Sequence, residues 1–133
     1  MEFVDWSDAY SVGDVLMDAH HRIFFEMVKE FSRAPDKDMR GAMKQQIAFL
    51  AEYADMHLAA EESLMREAGY PDLGKHKALH DAFSHKVHLA RDAFPNDQGS
   101  VSADVILQTM QEWFLNHIQD EDQKYAPYLR HRP

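Results

Sequence analysis

Three short stretches rich in Pro, Gly, Asp and Ser cut this chain into long pieces: SRAPDK (32–37), GYPD (69–72) and FPNDQGS (94–100). Proline lacks a backbone donor and glycine resists ordering, so both punctuate helices instead of continuing them. The pieces between them carry apolar residues at helical spacing, with no alternating pattern that would make a strand. The spacing predicts helix A from about Val12 to Phe31 and helix B from about Asp38 to Ala68. Helix C follows from about Asp72 to Phe94, and helix D from about Ser102 to Asp120. Asp72 and Ser102 stand where an N-terminal cap belongs, and Gly69 where a C-terminal cap belongs. Such short connections make neighbours antiparallel. The expected fold is therefore all-α: an up-down-up-down four-helix bundle, one domain over residues 1–133. The first dozen residues form an N-terminal arm packed by Phe3, Trp6 and Tyr10. The last dozen form a short C-terminal tail broken at Pro127.

The formal net charge of −9 argues against nucleic acid or an anionic membrane as the main partner. Absence of cysteine removes disulfides, thiolate chemistry and iron–sulfur clusters. The start, MEFVDWSDAY, lacks the basic flank and apolar run of a signal peptide, and no apolar run approaches the roughly 20 residues that span a bilayer. The expected location is cytoplasmic.

The unusual count is nine histidines. On helix B the core stripe reads Ile47, Leu50, Ala54, His57, Glu61, Leu64. On helix C it reads His76, His80, Phe83, Val87, Phe94, and on helix D Ile106, Met110, Trp113, His117. Three helices thus place histidine where an aliphatic residue belongs. Several core imidazoles and a core carboxylate are costly unless they share a partner, and a metal satisfies them together. On helix A, His20 aligns with Leu16, Ile23 and Met27, and His21 with Met17, Phe24 and Val28. The pattern slightly favours His20 and does not choose between them. The chain has no Glu-x-x-His pair and no His-Glu-x-x-His. Imidazole and carboxylate in this number exceed a four-coordinate structural zinc and suit two six-coordinate ions such as iron or manganese.

Four segments, in order, resemble the hemerythrin family: MDAHHR (17–22), HLAAEESLM (57–65), GYPDLGKHKALHDAF (69–83) and WFLNHIQDEDQKY (113–125). The N-terminal DWSDAYSVG is similar to bacterial members. The resemblance selects His21 and puts His20 at the family's usual glutamine position. It implies two iron ions per chain with an oxo or hydroxo bridge, and O₂ as ligand. One iron would take His76, His80 and His117, the other His21 and His57, with Glu61 and Asp122 bridging. That count leaves one position open on the second iron. Phe24, Leu58, Trp113, Phe114 and Ile118 are the candidates for a dry pocket beside it. Gln119 stands where animal relatives carry leucine facing the bound O₂. Tyr125 and Trp113 are candidate hydrogen-bond partners of the carboxylates, and His85, His88 and His131 read as surface.

The implied function is reversible O₂ binding for storage, delivery or scavenging, with an O₂-accepting or reducing protein as partner. Alternatives are sensing of O₂, redox state or nitric oxide in trans, and a di-iron enzyme acting on peroxide or nitric oxide. Two further expectations follow. Without metal the buried imidazoles and carboxylates destabilise the fold, most at acid pH. His117 and Asp122 are five apart, a spacing that a regular helix does not align, whereas Glu121 would align. If Asp122 is the inward residue, a π turn or a helix break separates it from His117, and Glu121 turns to solvent.

Overall fold

The computed structural model describes residues 3–33, 40–93 and 103–129, excluding the side chains of 40–43, 93, 103 and 104. Phe94, Ser102, His131, the loop 94–100 and most of the loop 32–37 lie outside the described residues. A 3₁₀ turn, Asp8–Tyr10, precedes α1 (Val15–Arg33), α2 (Arg40–Ala68), α3 (Leu73–Ala93) and α4 (Ala103–His117). A π turn, Ile118–Asp122, then carries α4 into α5 (Gln123–Leu129). Helix α1 packs on α2 and α4, and α2 packs on α3. This is the all-α four-helix bundle expected, with no strand among the described residues.

Helix α1 starts at Val15, three residues later than the periodicity predicts. Asp14 caps it, its Oδ2 accepting from Met17 N at 3.0 Å, while Gly13 takes a left-handed φ of 80° just before. Val12 is buried outside the helix, its N–H held by Asp18 Oδ1 at 2.9 Å. The arm packs as expected, with Phe3, Trp6 and Tyr10 against the main core and Val4 N donating to Gln111 Oε1 at 2.6 Å.

Gly69 ends α2. With φ at 73°, its N–H reaches Arg66 O and the Tyr70 N–H reaches Met65 O, so two orphan carbonyls gain donors. Tyr70 and Met65 pack together in the same cluster, which completes the motif. Asp72 sits just before α3 and its carbonyl accepts from His76 N at 3.1 Å.

The expected helix end at Asp120 and break at Pro127 are both corrected: helix runs on to Leu129, with Pro127 inside it. An interior proline costs about 3 kcal/mol. Tyr125, Ala126 and Leu129 are buried on the same short helix, and burying one large apolar side chain returns about 1.5–3 kcal/mol. Packing therefore outweighs the missing donor, and Pro127 itself is exposed. Two buried stripes also shift. Met65 is buried where Leu64 is only half-buried, and Leu107 and Phe114 are buried where Ile106 and Trp113 are half-buried. Adjacent rows are apolar in both places, so spacing could not separate them. The Phe114 ring against Phe24, centroids 4.1 Å apart, sets the facing row on α4.

Two apolar clusters result. The larger holds Phe24, Leu50, Phe83, Val87, Leu107 and Phe114, and the smaller Val12, Met17, Met65, Tyr70, Tyr125 and Leu129. The buried histidines and carboxylates fall where the two sets meet: His21 after Met17, His57 and Glu61 before Met65, His117 and Asp122 before Tyr125.

Candidate metal centre

His21, His57, Glu61, His76, His80, His117 and Asp122 are all buried. The helical spacing of His57 and Glu61 on α2, and of His76 and His80 on α3, aims each pair to one side. His117 and Asp122 are aligned by the π turn, which holds one residue more than an α turn. Glu121 turns outward and pairs with Lys124 at 3.1 Å, as expected.

The imidazoles meet in two groups. Nε2 of His117 lies 2.9 Å from Nε2 of His76 and 3.0 Å from Nε2 of His80. Nε2 of His21 lies 3.0 Å from Nε2 of His57. The slight periodicity preference for His20 is overturned: its row is the outer one, with Leu16 58% and Ile23 42% exposed, while Met17, His21, Phe24 and Val28 are buried. His20 instead sets its Nδ1 2.9 Å from Nδ1 of His57, behind the cluster.

The carboxylates lie between the groups, one oxygen to each. Glu61 Oε1 is 3.3 Å from His76 and 3.1 Å from His80, while Oε2 is 3.5 Å from His21 and 3.6 Å from His57. Asp122 Oδ1 is 3.0 Å from both His76 and His117, while Oδ2 is 3.4 Å from His21. Tyr125 Oη donates to Glu61 Oε2 at 2.7 Å.

These donors fit metal ions. A metal–imidazole bond is about 2.0–2.1 Å, so two at a right angle put their nitrogens about 3 Å apart, the separation found in both groups. Glu61, His76, His80, His117 and Asp122 form one set of converging ligand atoms, and His21, His57 and Glu61 another. Both oxygens of Asp122 are buried among imidazole nitrogens without a well-aligned hydrogen-bond donor. Orphan groups of this kind cost about 1–3 kcal/mol each, which fits a site built to be completed by cations.

The charges are strongly coupled. Burial opposes a charge on Glu61, but His21, His76 and His80 outweigh it and hold the carboxyl well below the ordinary range. Burial likewise opposes charged His76, yet Asp122 and Glu61 raise it to about 9, and they raise His21 too. His57 is held well below 6.5 by burial, aided by His21 and His20 against the pull of Glu61. Burial, with Glu61 and Asp122 beside it, pushes the Tyr125 phenol well up.

A second layer surrounds these groups. Nδ1 of His80 meets Glu62 Oε2 at 2.9 Å, a carboxylate that fixes the ring and leaves Nε2 facing inward. Spacing gave no reason to single out Glu62; its place directly after Glu61 was the available signal. Trp113 lies flat on the His117 ring, centroids 4.4 Å apart, and also on Phe83. Phe24, Leu58, Phe114 and Ile118 are buried in the adjoining cluster, with Phe114 5.8 Å from the His57 ring. Gln119 is corrected: it is exposed, because two residues past His117 lies about 200° round the helix, on the far side from the cluster. His85 is exposed as expected, whereas His88 is half-buried with Nε2 2.6 Å from Asp55.

Residues 12–129 match the family model described as "Hemerythrin HHE cation binding domain". The chain belongs to the hemerythrin family. It is 32% identical over 130 residues to a bacteriohemerythrin of Stenotrophomonas maltophilia (strain R551-3), covering 98% of this chain and 84% of that one. A bacteriohemerythrin of Pseudomonas aeruginosa (strain LESB58) is 30% identical over 131 residues, with the same coverage. A crystal structure of wild-type hemerythrin superposes with a TM-score of 0.87 at 26% identity, covering 96% of this chain and 98% of that one. The hemerythrin match spans every segment from MDAHHR to WFLNHIQDEDQKY. No helix among the described residues is long and apolar enough to cross a membrane.

Proposed function

We propose that the chain holds two non-haem iron ions in this cluster and binds O₂ reversibly. One observation carries the reading: each buried carboxylate directs one oxygen to the three-histidine group and the other to the two-histidine group. Carboxylates so placed would each serve both groups if two ions were bound. His76, His80 and His117 would hold one and His21 and His57 the other, which leaves the second ion a ligand short. The pair, when bound, supplies electrons to O₂ and takes them back on release.

The chain's own residues do the rest. Glu62 and His20 orient His80 and His57 through their outer nitrogens. Phe24, Leu58 and Phe114 adjoin the two-histidine side and keep bulk water from it. Tyr125 holds Glu61 by one oxygen and so fixes the orientation of its carboxylate. Storage, delivery or scavenging of O₂ would each use this site in the same way.

The test is repeated oxygenation. Iron-loaded protein is reduced without air, exposed to O₂, then returned to low pressure while its absorption spectrum is followed. Recovery of the starting spectrum through several cycles is expected, with iron assayed at two per chain. One zinc and no iron would overturn the reading. So would steady turnover of peroxide or nitric oxide with no reversible O₂ spectrum.

A further inference from the structure

Three of the five tyrosines form a line from the metal cluster to the surface. Tyr125 starts it, with its hydroxyl on Glu61 and its ring 5.7 Å from His76. Tyr70 is next, with its centroid 6.3 Å from Tyr125 and 6.4 Å from His76. Tyr128 ends it, 5.2 Å from Tyr70 and 39% exposed. The Tyr125 hydroxyl is held by Glu61, whereas the ring contacts of Tyr70 and Tyr128 would be filled as well by phenylalanine.

We propose that Tyr125, Tyr70 and Tyr128 form a relay that lets small phenols and similar one-electron donors at the surface be oxidised by peroxide at the buried site. The proposal rests on the di-iron reading, because the tyrosines need an oxidised metal pair to draw from. With such a pair bound and oxidised by hydrogen peroxide, an electron would move inward along the line. The Tyr125 proton would shift along its hydrogen bond toward Glu61 and return as Tyr70 supplies an electron, and Tyr70 would keep its own proton because Tyr128 refills it in turn. Tyr128 then refills Tyr70 and gives its own proton to water. In total, Tyr128 and a dissolved phenol each lose one electron and one proton. A carbon–carbon bond joins their rings, and one hydrogen peroxide leaves as two waters.

Other aromatic side chains near the cluster are less suited. Tyr53 is separated from His57 by the His20 ring, and its hydroxyl donates to the His20 backbone carbonyl, which cannot take a proton. Trp113 stacks on His117 but is only half-buried itself and leads to no further redox-active ring, since its other stacking partner is Phe83. Tyr125 alone joins a phenol to a carboxylate of the cluster.

The full chain is loaded with iron and its iron content is measured. It is then treated with hydrogen peroxide and tyramine, and digested for mass spectrometry. A tyramine adduct on Tyr128 is expected, with Tyr10 and Tyr53 unlabelled. Tyr70→Phe should keep its iron and lose the adduct, as should Tyr128→Phe. An iron-loaded chain with Tyr128 unlabelled, with oxidation on Trp113 instead, or with undiminished labelling in Tyr70→Phe, overturns the relay alone. A chain that takes up no iron overturns the metal reading and the relay with it.

Discussion

Stripped of metal and taken from pH 7 to pH 9.5, the chain should lose stability, and His76 sets the size of the loss. Its folded pKa stands at about 9 against an ordinary 6.5, because Asp122 and Glu61 together outweigh its burial. A folded value above the unfolded one means stabilisation that is complete below 6.5 and disappears as pH rises through about 9. The distance between the two values corresponds to roughly 3 kcal/mol. That is a ceiling, because His21 shares the same two carboxylates. The acid side is limited by different groups. His57 is held below its ordinary value chiefly by burial, and Glu61 below its own because three histidines outweigh its burial. Groups depressed in this way lose their contribution as pH falls, His57 below 6.5 and Glu61 further down. The metal-free chain should therefore be most stable near pH 6.5, losing stability as pH rises from there to about 9, as well as on the acid side as expected from the sequence. Urea unfolding followed by circular dichroism, in chelator and at constant salt, measures it. His76→Gln should flatten the slope between pH 7 and 9.5. Stability that holds or rises across that range in the unaltered chain would refute the coupling.

Three other outcomes are expected. His21→Gln should lose iron while His20→Gln keeps it, by elemental analysis, since His21 lies inside the cluster and His20 touches only the outer nitrogen of His57. Deleting the exposed Gln119 should convert the π turn to a regular one, leaving His117 and Asp122 four apart and still aligned; iron content near the unaltered value confirms this, and loss as complete as in Asp122→Ala refutes it. Tyr125→Phe removes a charge-assisted bond to Glu61 and should cost about 1.5–3 kcal/mol in urea unfolding; an unchanged midpoint would show the bond contributes nothing.

The sequence determined the bundle and most of its centre. Pro and Gly at the connections and a single dominant apolar face left little choice of fold, and α3 buries the four described residues its spacing named: His76, His80, Phe83 and Val87. Pattern was also enough for His57 and Glu61, because a polar residue in a core row stands out against aliphatic neighbours. Where two adjacent rows were both apolar, pattern failed, as with His20 against His21 and Trp113 against Phe114. There the motif resemblance chose His21, and packing shows why: Leu16 and Ile23 beside His20 are left exposed.

Tertiary structure decided the rest. The five-residue gap from His117 to Asp122 demanded an irregular turn, but whether the helix widened or ended depended on what lay beyond it. Tyr125, Ala126 and Leu129 bury enough apolar surface to hold the chain helical through Pro127, so it widened. The bridging arrangement is tertiary too. Residue spacing can aim Glu61 inward, but only three helices meeting at fixed distances can give one of its oxygens to His76 and His80 and the other to His21 and His57. Spacing reports which side of its own helix a residue faces; partners are set by how the helices pack, and that information is spread over the whole core.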